Sequence, residues 1–129
     1  MGRAMSKQPD NFEPLNPVQV EHHLRELSNR IAKGVRYVSE RQYEFDEKER
    51  LYKKAFAIAF TTSDGSVEDR KQHAVLATGD ACEARDVAKA SLDYAKDLVK
   101  SYRDEMSSYQ TISAMVRAMY STAGRGEGA

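Results

Sequence analysis

The chain has 129 residues, enough for one domain, and its twenty basic and twenty acidic residues cancel. With no net charge, no overall field draws it toward nucleic acid or an anionic membrane. No segment approaches the roughly 20 apolar residues that cross a bilayer, so no membrane partner is expected. Cys82 is the single cysteine, which excludes an intrachain disulfide. The first ten residues lack the apolar core of a signal peptide, and a cytoplasmic location is therefore expected.

Residues 1–15 contain Pro9 and Pro14 without any periodicity, and they are predicted to form an irregular N-terminal arm. A helix start is indicated at Asn16, which is a good N-cap residue. Pro17 suits the first helical position, and Gln19 stands where a capping box requires Glu or Gln. We expect the first helix to cover residues 16–61.

From Val20 onward, apolar residues recur at alternating three- and four-residue steps, the heptad of helices that wrap around one another. We call the two recurring positions the seam. In the first helix one seam position carries Leu24, Ile31, Val38, Phe45, Tyr52 and Ala59, and the other carries Val20, Leu27, Gly34, Arg41, Lys48 and Ala55. Gly34 indicates either close approach of a second helix or a weak point. Arg41 and Lys48 can cover apolar surface with their stems.

Residues 62–65 are predicted to form a turn, and Ser66 to cap a second helix over residues 66–122. This helix is expected to be continuous or gently bent, with Gly79-Asp80 as the candidate kink. Its glycine-rich end, residues 123–129, is predicted to be a disordered tail. The second seam comprises Ala74, Ala81, Ala88, Ala95, Tyr102, Tyr109 and Val116 at one position, and Lys71, Thr78, Arg85, Leu92, Val99, Met106, Ser113 and Tyr120 at the other.

These elements predict an all-α fold, a long antiparallel helical hairpin with coiled-coil packing, in which large residues of the first helix meet alanines of the second. Counting from the turn places Tyr52 opposite Val75 to Thr78. Two helices bury little apolar area, and the resulting stabilisation compensates poorly for the conformational entropy that the chain loses on folding. We therefore expect a homodimer or higher assembly, forming a four-helix bundle. The predicted oligomer interface is the apolar end of the second helix: Tyr102, Met106, Tyr109, Ile112, Val116 and Met119. The alternative cover for this end is the N-terminal arm, through Phe12 and Leu15.

Residues that could carry chemistry are few, and none is predicted to be catalytic. His22 and Glu26 share a helical face beside His23, a spacing that could bind a metal. No second pair completes such a site, so these side chains and His73 are interpreted as surface polar residues. Cys82 lies beside the seam and is interpreted as a packed side chain. No metal, cofactor or enzymatic activity is predicted.

A basic cluster near the turn could contact phosphate groups, since Tyr52 and Phe56 are interleaved with it. Its members are Lys48, Arg50, Lys53, Lys54, Arg70 and Lys71. Single-stranded nucleic acid is therefore a candidate partner. In the alternative interpretation these cations pair with Glu47, Glu49, Glu68 and Asp69 as an ordinary solvated surface.

The stretch from Tyr52 to Tyr120 resembles small coiled-coil proteins of tailed bacteriophages. The residues concerned are Lys53-Lys54-Ala55-Phe56, Ser66-Val67-Glu68-Asp69-Arg70-Lys71 and Ala81-Cys82-Glu83-Ala84-Arg85. The resemblance implies an accessory factor of phage DNA replication or recombination, acting in the host cytoplasm. The alternative is a structural or host-protein-binding module without a role at DNA. The chain also has the size of the helical hairpins secreted by type VII systems, but it lacks their Trp-x-Gly turn, because it contains no Trp.

Overall fold

The computed structural model describes residues 16–128, and over this range the protein is all-α, as predicted. Helix α1 comprises Pro17–Thr62, α2 comprises Val67–Ala77 and α3 comprises Gly79–Gly128. No strand occurs within the described residues. The predicted N-terminal arm, residues 1–15, lies outside them.

Helix α1 begins at the capping box that the sequence indicates. The backbone N–H of Gln19 donates to Asn16 Oδ1 at 2.9 Å, and the N–H of Asn16 donates to Gln19 Oε1 at 3.2 Å. Two N–H groups that lack a partner inside the helix are thereby satisfied. At the other end, α1 extends to Thr62, one residue beyond the predicted end.

The turn after α1 occupies residues 63–66, one residue later than predicted, and it leads into a second capping box. The Asp69 N–H donates to Ser66 Oγ at 3.1 Å, and the Ser66 N–H donates to Asp69 Oδ2 at 3.4 Å. Ser66 is thus the N-cap, as predicted, and Asp69 is its reciprocal partner. Gly65 adopts a φ of 108°, a backbone conformation that side chains with a Cβ rarely take.

The prediction of one helix after the turn is wrong, because Thr78 separates α2 from α3. Thr78 has φ −113° and ψ 21°, and its hydroxyl donates to the Ala74 carbonyl at 2.6 Å. The backbone bonds from Thr78 N–H to Ala74 O and from Cys82 N–H to Thr78 O are both present. The break is therefore a single non-helical residue, at which the Ala74 carbonyl accepts from both the N–H and the hydroxyl of Thr78.

Helix α3 continues as far as Gly128, although the sequence predicted its end at residue 122 and a disordered tail over 123–129. Glycine lowers helix stability by about 1 kcal/mol relative to alanine without blocking a hydrogen bond. No proline follows residue 122 to force a stop. The predicted helix end was too early, because these glycines weaken the helix without ending it.

The described chain forms two packed units. Unit 1 consists of residues 16–29 with the part of α3 after Ser101, and unit 2 is Arg30–Ser101. In both units the buried apolar residues of the described chain all belong to the predicted seam: Val20, Leu27, Ala74, Ala88, Leu92, Ala95, Val99 and Val116. Thr78, the buried polar residue, is a seam position too. The heptad prediction of which face is buried is thus confirmed.

Within unit 2 the helices approach each other closely at Gly34. A Cβ built on Gly34 would lie 2.6 Å from Val99 Cγ2, inside van der Waals contact. Close approach, the first of the two predicted reasons for this glycine, is therefore correct. The Tyr52 ring lies under the Arg85 guanidinium, 5.1 Å from Cζ, a contact of a long side chain that the predicted position of Tyr52 opposite Val75 to Thr78 did not include.

Candidate interaction surfaces

The apolar end of α3, predicted as an oligomer interface, is covered to different degrees. Val116 is buried, whereas Met119 exposes 67% of its surface. The remaining predicted residues, Tyr102, Met106, Tyr109 and Ile112, are half-buried. Met115 and Tyr120, which the prediction did not include, are also exposed. The single chain thus covers Val116 and leaves a methionine-rich surface beside it.

In unit 1 a tertiary contact that the sequence did not reveal involves His23. Its Nε2 lies 3.1 Å from Glu105 Oε2, and its ring centroid lies 4.0 Å from that of Tyr109. The interpretation of His23 as a surface polar residue is wrong, because it connects α1 to α3. His22 lies 3.9 Å from Glu26 on the exposed face, and no cluster of metal-binding side chains occurs among the described residues.

Half of the predicted phosphate-binding cluster, Arg50, Lys53 and Arg70, is engaged in contacts within the chain. Arg50 Nη2 donates to Glu47 Oε1 at 2.8 Å, and this hydrogen bond raises the pKa of the Arg50 guanidinium. Lys53 lies 3.9 Å from Glu49. Both carboxylates are partners named in the solvated-surface interpretation.

The other members of the basic cluster lie in different environments. Arg70 Nε donates to the Phe60 carbonyl at 3.2 Å, so its guanidinium contacts the C-terminal turn of α1. Lys48 is half-buried in a groove described below, whereas Lys54 and Lys71 are exposed. Within the described residues these three lysines form no ion pair.

An aromatic ladder follows one face of α1 near the turn. The centroids of Tyr52 and Phe56 are 6.2 Å apart, and those of Phe56 and Phe60 are 6.5 Å apart. Arg85 lies over Tyr52, and Arg70 lies over Phe60 with its Cζ 4.7 Å from the centroid. The spacing of four residues signals the ladder in the sequence, but its two covering arginines depend on tertiary structure. Such cation–π contacts hold α2 and α3 against α1 in unit 2.

A groove of about 410 Å³ runs between α1 and α3 in unit 2. Arg41, Glu44 and Lys48 form the α1 wall. The α3 side consists of Asp80, Glu83, Ala84, Val87, Ala88 and Ser91. Arg41 Nη1 donates to Glu44 Oε1 at 3.1 Å. The sequence placed Arg41 and Lys48 on the seam, and the groove brings them near the acidic residues Asp80 and Glu83 of α3.

The remaining candidate nucleophile, Cys82, is half-buried, and its Sγ lies 3.9 Å from Asp86 Oδ2. This environment agrees with the interpretation of Cys82 as a packed residue.

None of the helices in the described range has an apolar stretch long enough to cross a membrane. The described surfaces that stand out are the methionine-rich end of α3, the aromatic ladder and the groove. Comparisons of the chain with protein families, with curated proteins and with solved structures found no match.

Proposed function

We propose that this chain is a non-enzymatic helical interaction protein that acts by self-association. The observation that carries the proposal is the exposed apolar surface on α3. Met115 and Met119 are 59% and 67% exposed, and they flank Val116, which the chain buries. Apolar side chains in that arrangement favour a protein partner over water. Methionine is enriched where proteins meet.

The proposed architecture is an antiparallel coiled-coil hairpin that pairs with a second copy into a four-helix bundle. Contacts in unit 2 support the hairpin. Phe60 meets Arg70, Tyr52 meets Arg85, and Gly34 meets Val99, so the partners move apart in sequence in opposite directions. Alternation of large and small side chains at the seam supports coiled-coil packing.

Light scattering tests the self-association. At micromolar concentration the unmodified protein is expected to have at least twice the 14.5 kDa mass of one chain. The double variant Met115→Glu, Met119→Glu should fall toward one chain, because four buried carboxylates in a dimer would repel and lose hydration. Both side chains are exposed in the single chain, so its fold should be retained.

The matched control is Leu76→Glu, which alters a side chain that is 82% exposed on α2. This variant should keep the mass of the unmodified protein. A monomeric unmodified protein would contradict the proposal of self-association. An oligomer that survives the double methionine change would remove this end of α3 from the interface.

For its biological role we propose an accessory factor in phage DNA replication or recombination. The exposed cations Lys54 and Lys71 support a contact with the phosphates of single-stranded DNA. Such binding should weaken steeply as salt rises, since phosphate contacts release counterions. Lys54→Gln with Lys71→Gln should reduce the salt slope, whereas Lys89→Gln, an exposed α3 lysine paired with Asp93, should not. Absence of binding at low salt would leave the module without a DNA role.

A further inference from the structure

We infer that a second copy of this chain docks on the groove of unit 2, with Arg41 of one copy meeting Glu83 of the other. The inference rests on the proposed self-association and assigns to it a surface other than the methionine-rich end of α3. It follows from three properties of the groove: its small side chains, its opposed charges and an unpartnered nitrogen.

The floor of the groove is apolar and made of small side chains. Ala84 and Ala88 lie four residues apart on α3, and Val87 between them is 64% exposed. Tyr94, one heptad after Val87 on the same helical face, is 63% exposed. Alanines let a second helix approach closely, and the exposed valine and tyrosine supply the apolar area that would be buried.

The two walls carry opposite net charges. The α1 wall presents Arg41, Lys48 and Glu44, and the α3 wall presents Asp80 and Glu83. A two-fold axis that runs along the groove places the same patch of each copy against itself. The cationic wall of one copy then faces the acidic wall of the other, so the patch is self-complementary. Phosphate is a poor occupant, because the acidic wall repels it.

Arg41 supplies the third property. Its Nε is buried and has no hydrogen-bond partner among the described residues, while its Nη1 is held by Glu44. A guanidinium binds carboxylate best through two parallel N–H groups. Because Nε is enclosed in the single chain, a partner carboxylate would reach it after the Arg41 side chain turns into the groove, and a buried donor left unpaired favours that change. Asp80 and Glu83 are both exposed on the opposite wall, and the longer side chain of Glu83 suits this role.

Charge reversal with mixing tests whether the contact crosses between copies. Arg41→Glu and Glu83→Arg are prepared separately, and the dissociation constant of each is measured by sedimentation. Each variant alone should dissociate at least about tenfold more readily, because like charges then face each other. An equimolar mixture should restore assembly, since in a mixed dimer the carboxylate introduced at position 41 of one variant meets the guanidinium introduced at position 83 of the other. Rescue by mixing separate chains cannot arise from a contact within one chain.

Controls separate this inference from the proposed function. Lys89→Glu changes an α3 lysine that is paired with Asp93 and does not line the groove, and it should leave the dissociation constant unchanged. Circular dichroism checks that each variant folds. If Arg41→Glu does not fold, Val87→Glu replaces it, because the Val87 side chain is exposed and its change should likewise cause dissociation.

Three results overturn the inference in distinguishable ways. A monomeric unmodified protein contradicts both the inference and the proposed self-association. An oligomer that is unaffected by either reversal, or by Val87→Glu, contradicts only the groove as the docking surface. Dissociation of both variants without rescue on mixing contradicts the Arg41–Glu83 pairing between copies.

Discussion

Unit 1 and unit 2 fill the same heptad seam with side chains of different size. The buried apolar residues of described unit 1 are Val20, Leu27 and Val116, all branched side chains. Unit 2 buries three alanines, Ala74, Ala88 and Ala95, together with Leu92 and Val99. It also brings the Gly34 backbone against Val99, a contact in which no added methyl group fits.

The difference shows that one sequence repeat can hold helices together in two ways. Large side chains stabilise the helix packing through the apolar area that they remove from water, so truncating them lowers the stability. Glycine and alanine stabilise the packing by letting the helix backbones approach, so replacing them with larger residues lowers the stability. Unit 1 should therefore be sensitive to smaller residues and unit 2 to larger ones.

Leu27→Ala should have the largest effect, because Leu27 is fully buried in unit 1. Truncation removes its apolar area and leaves a cavity, which should lower the free energy of unfolding by about 2–5 kcal/mol. Urea unfolding followed by circular dichroism measures the change. Val18→Ala, at a site 78% exposed in the same helix, serves as the control and should change stability little. Equal effects at both sites would show that unit 1 is not held by buried volume.

Gly34→Ala should have a smaller effect, set by two opposing terms. Alanine raises helix propensity by about 1 kcal/mol, while overpacking against the stiff, buried Val99 costs about 1–3 kcal/mol. Gly79→Ala is the matched control, since a Cβ there meets nothing within 4 Å. Gly34→Ala should therefore be less stable than Gly79→Ala by about 1–3 kcal/mol in urea unfolding.

Adding Val99→Ala to Gly34→Ala tests the cause. The double variant should be more stable than the sum of the two single changes implies, because the second change removes the atom that clashes. Strict additivity would show that Gly34 does not sit against Val99.

Ser66→Ala should have the smallest effect of the three. It removes the hydroxyl that accepts the Asp69 N–H, and loss of an N-cap typically costs about 1 kcal/mol. Ser39→Ala, an exposed serine inside α1, is the control and should be neutral or slightly stabilising because alanine favours helix. Thermal unfolding measures both, and a Ser66→Ala midpoint no lower than that of Ser39→Ala would exclude a stabilising cap.

Local signals allowed much of the fold to be predicted. Caps at Asn16 and Ser66 depend on residues three positions apart, and the seam depends on steps of three and four. Both patterns involve residues that lie within one or two helical turns of each other. The identities of Leu27 and Ala88 as buried residues follow directly from that periodicity.

Features that depend on distant residues were missed. The break at Thr78 lies beside Gly79-Asp80, the candidate kink, but the bond from its hydroxyl to the Ala74 carbonyl is made in a buried setting that threonine alone does not specify. The contact between Tyr52 and Arg85 was missed, because it depends on the reach of a long side chain from another helix. The role of His23 was also missed, since its partner Glu105 is 82 residues away.

The turn at Gly65-Ser66 has a consequence for how unit 2 can fold. Its contacts span increasing stretches of chain, from Phe60 with Arg70, to Tyr52 with Arg85, to Gly34 with Val99. Closing a long loop in one step costs more entropy than extending a loop whose ends already meet. Contact formation in order from the turn outward is thus the path of lowest entropic cost, like a zipper closed from one end. A capped turn with a glycine at positive φ gives that process a defined starting point.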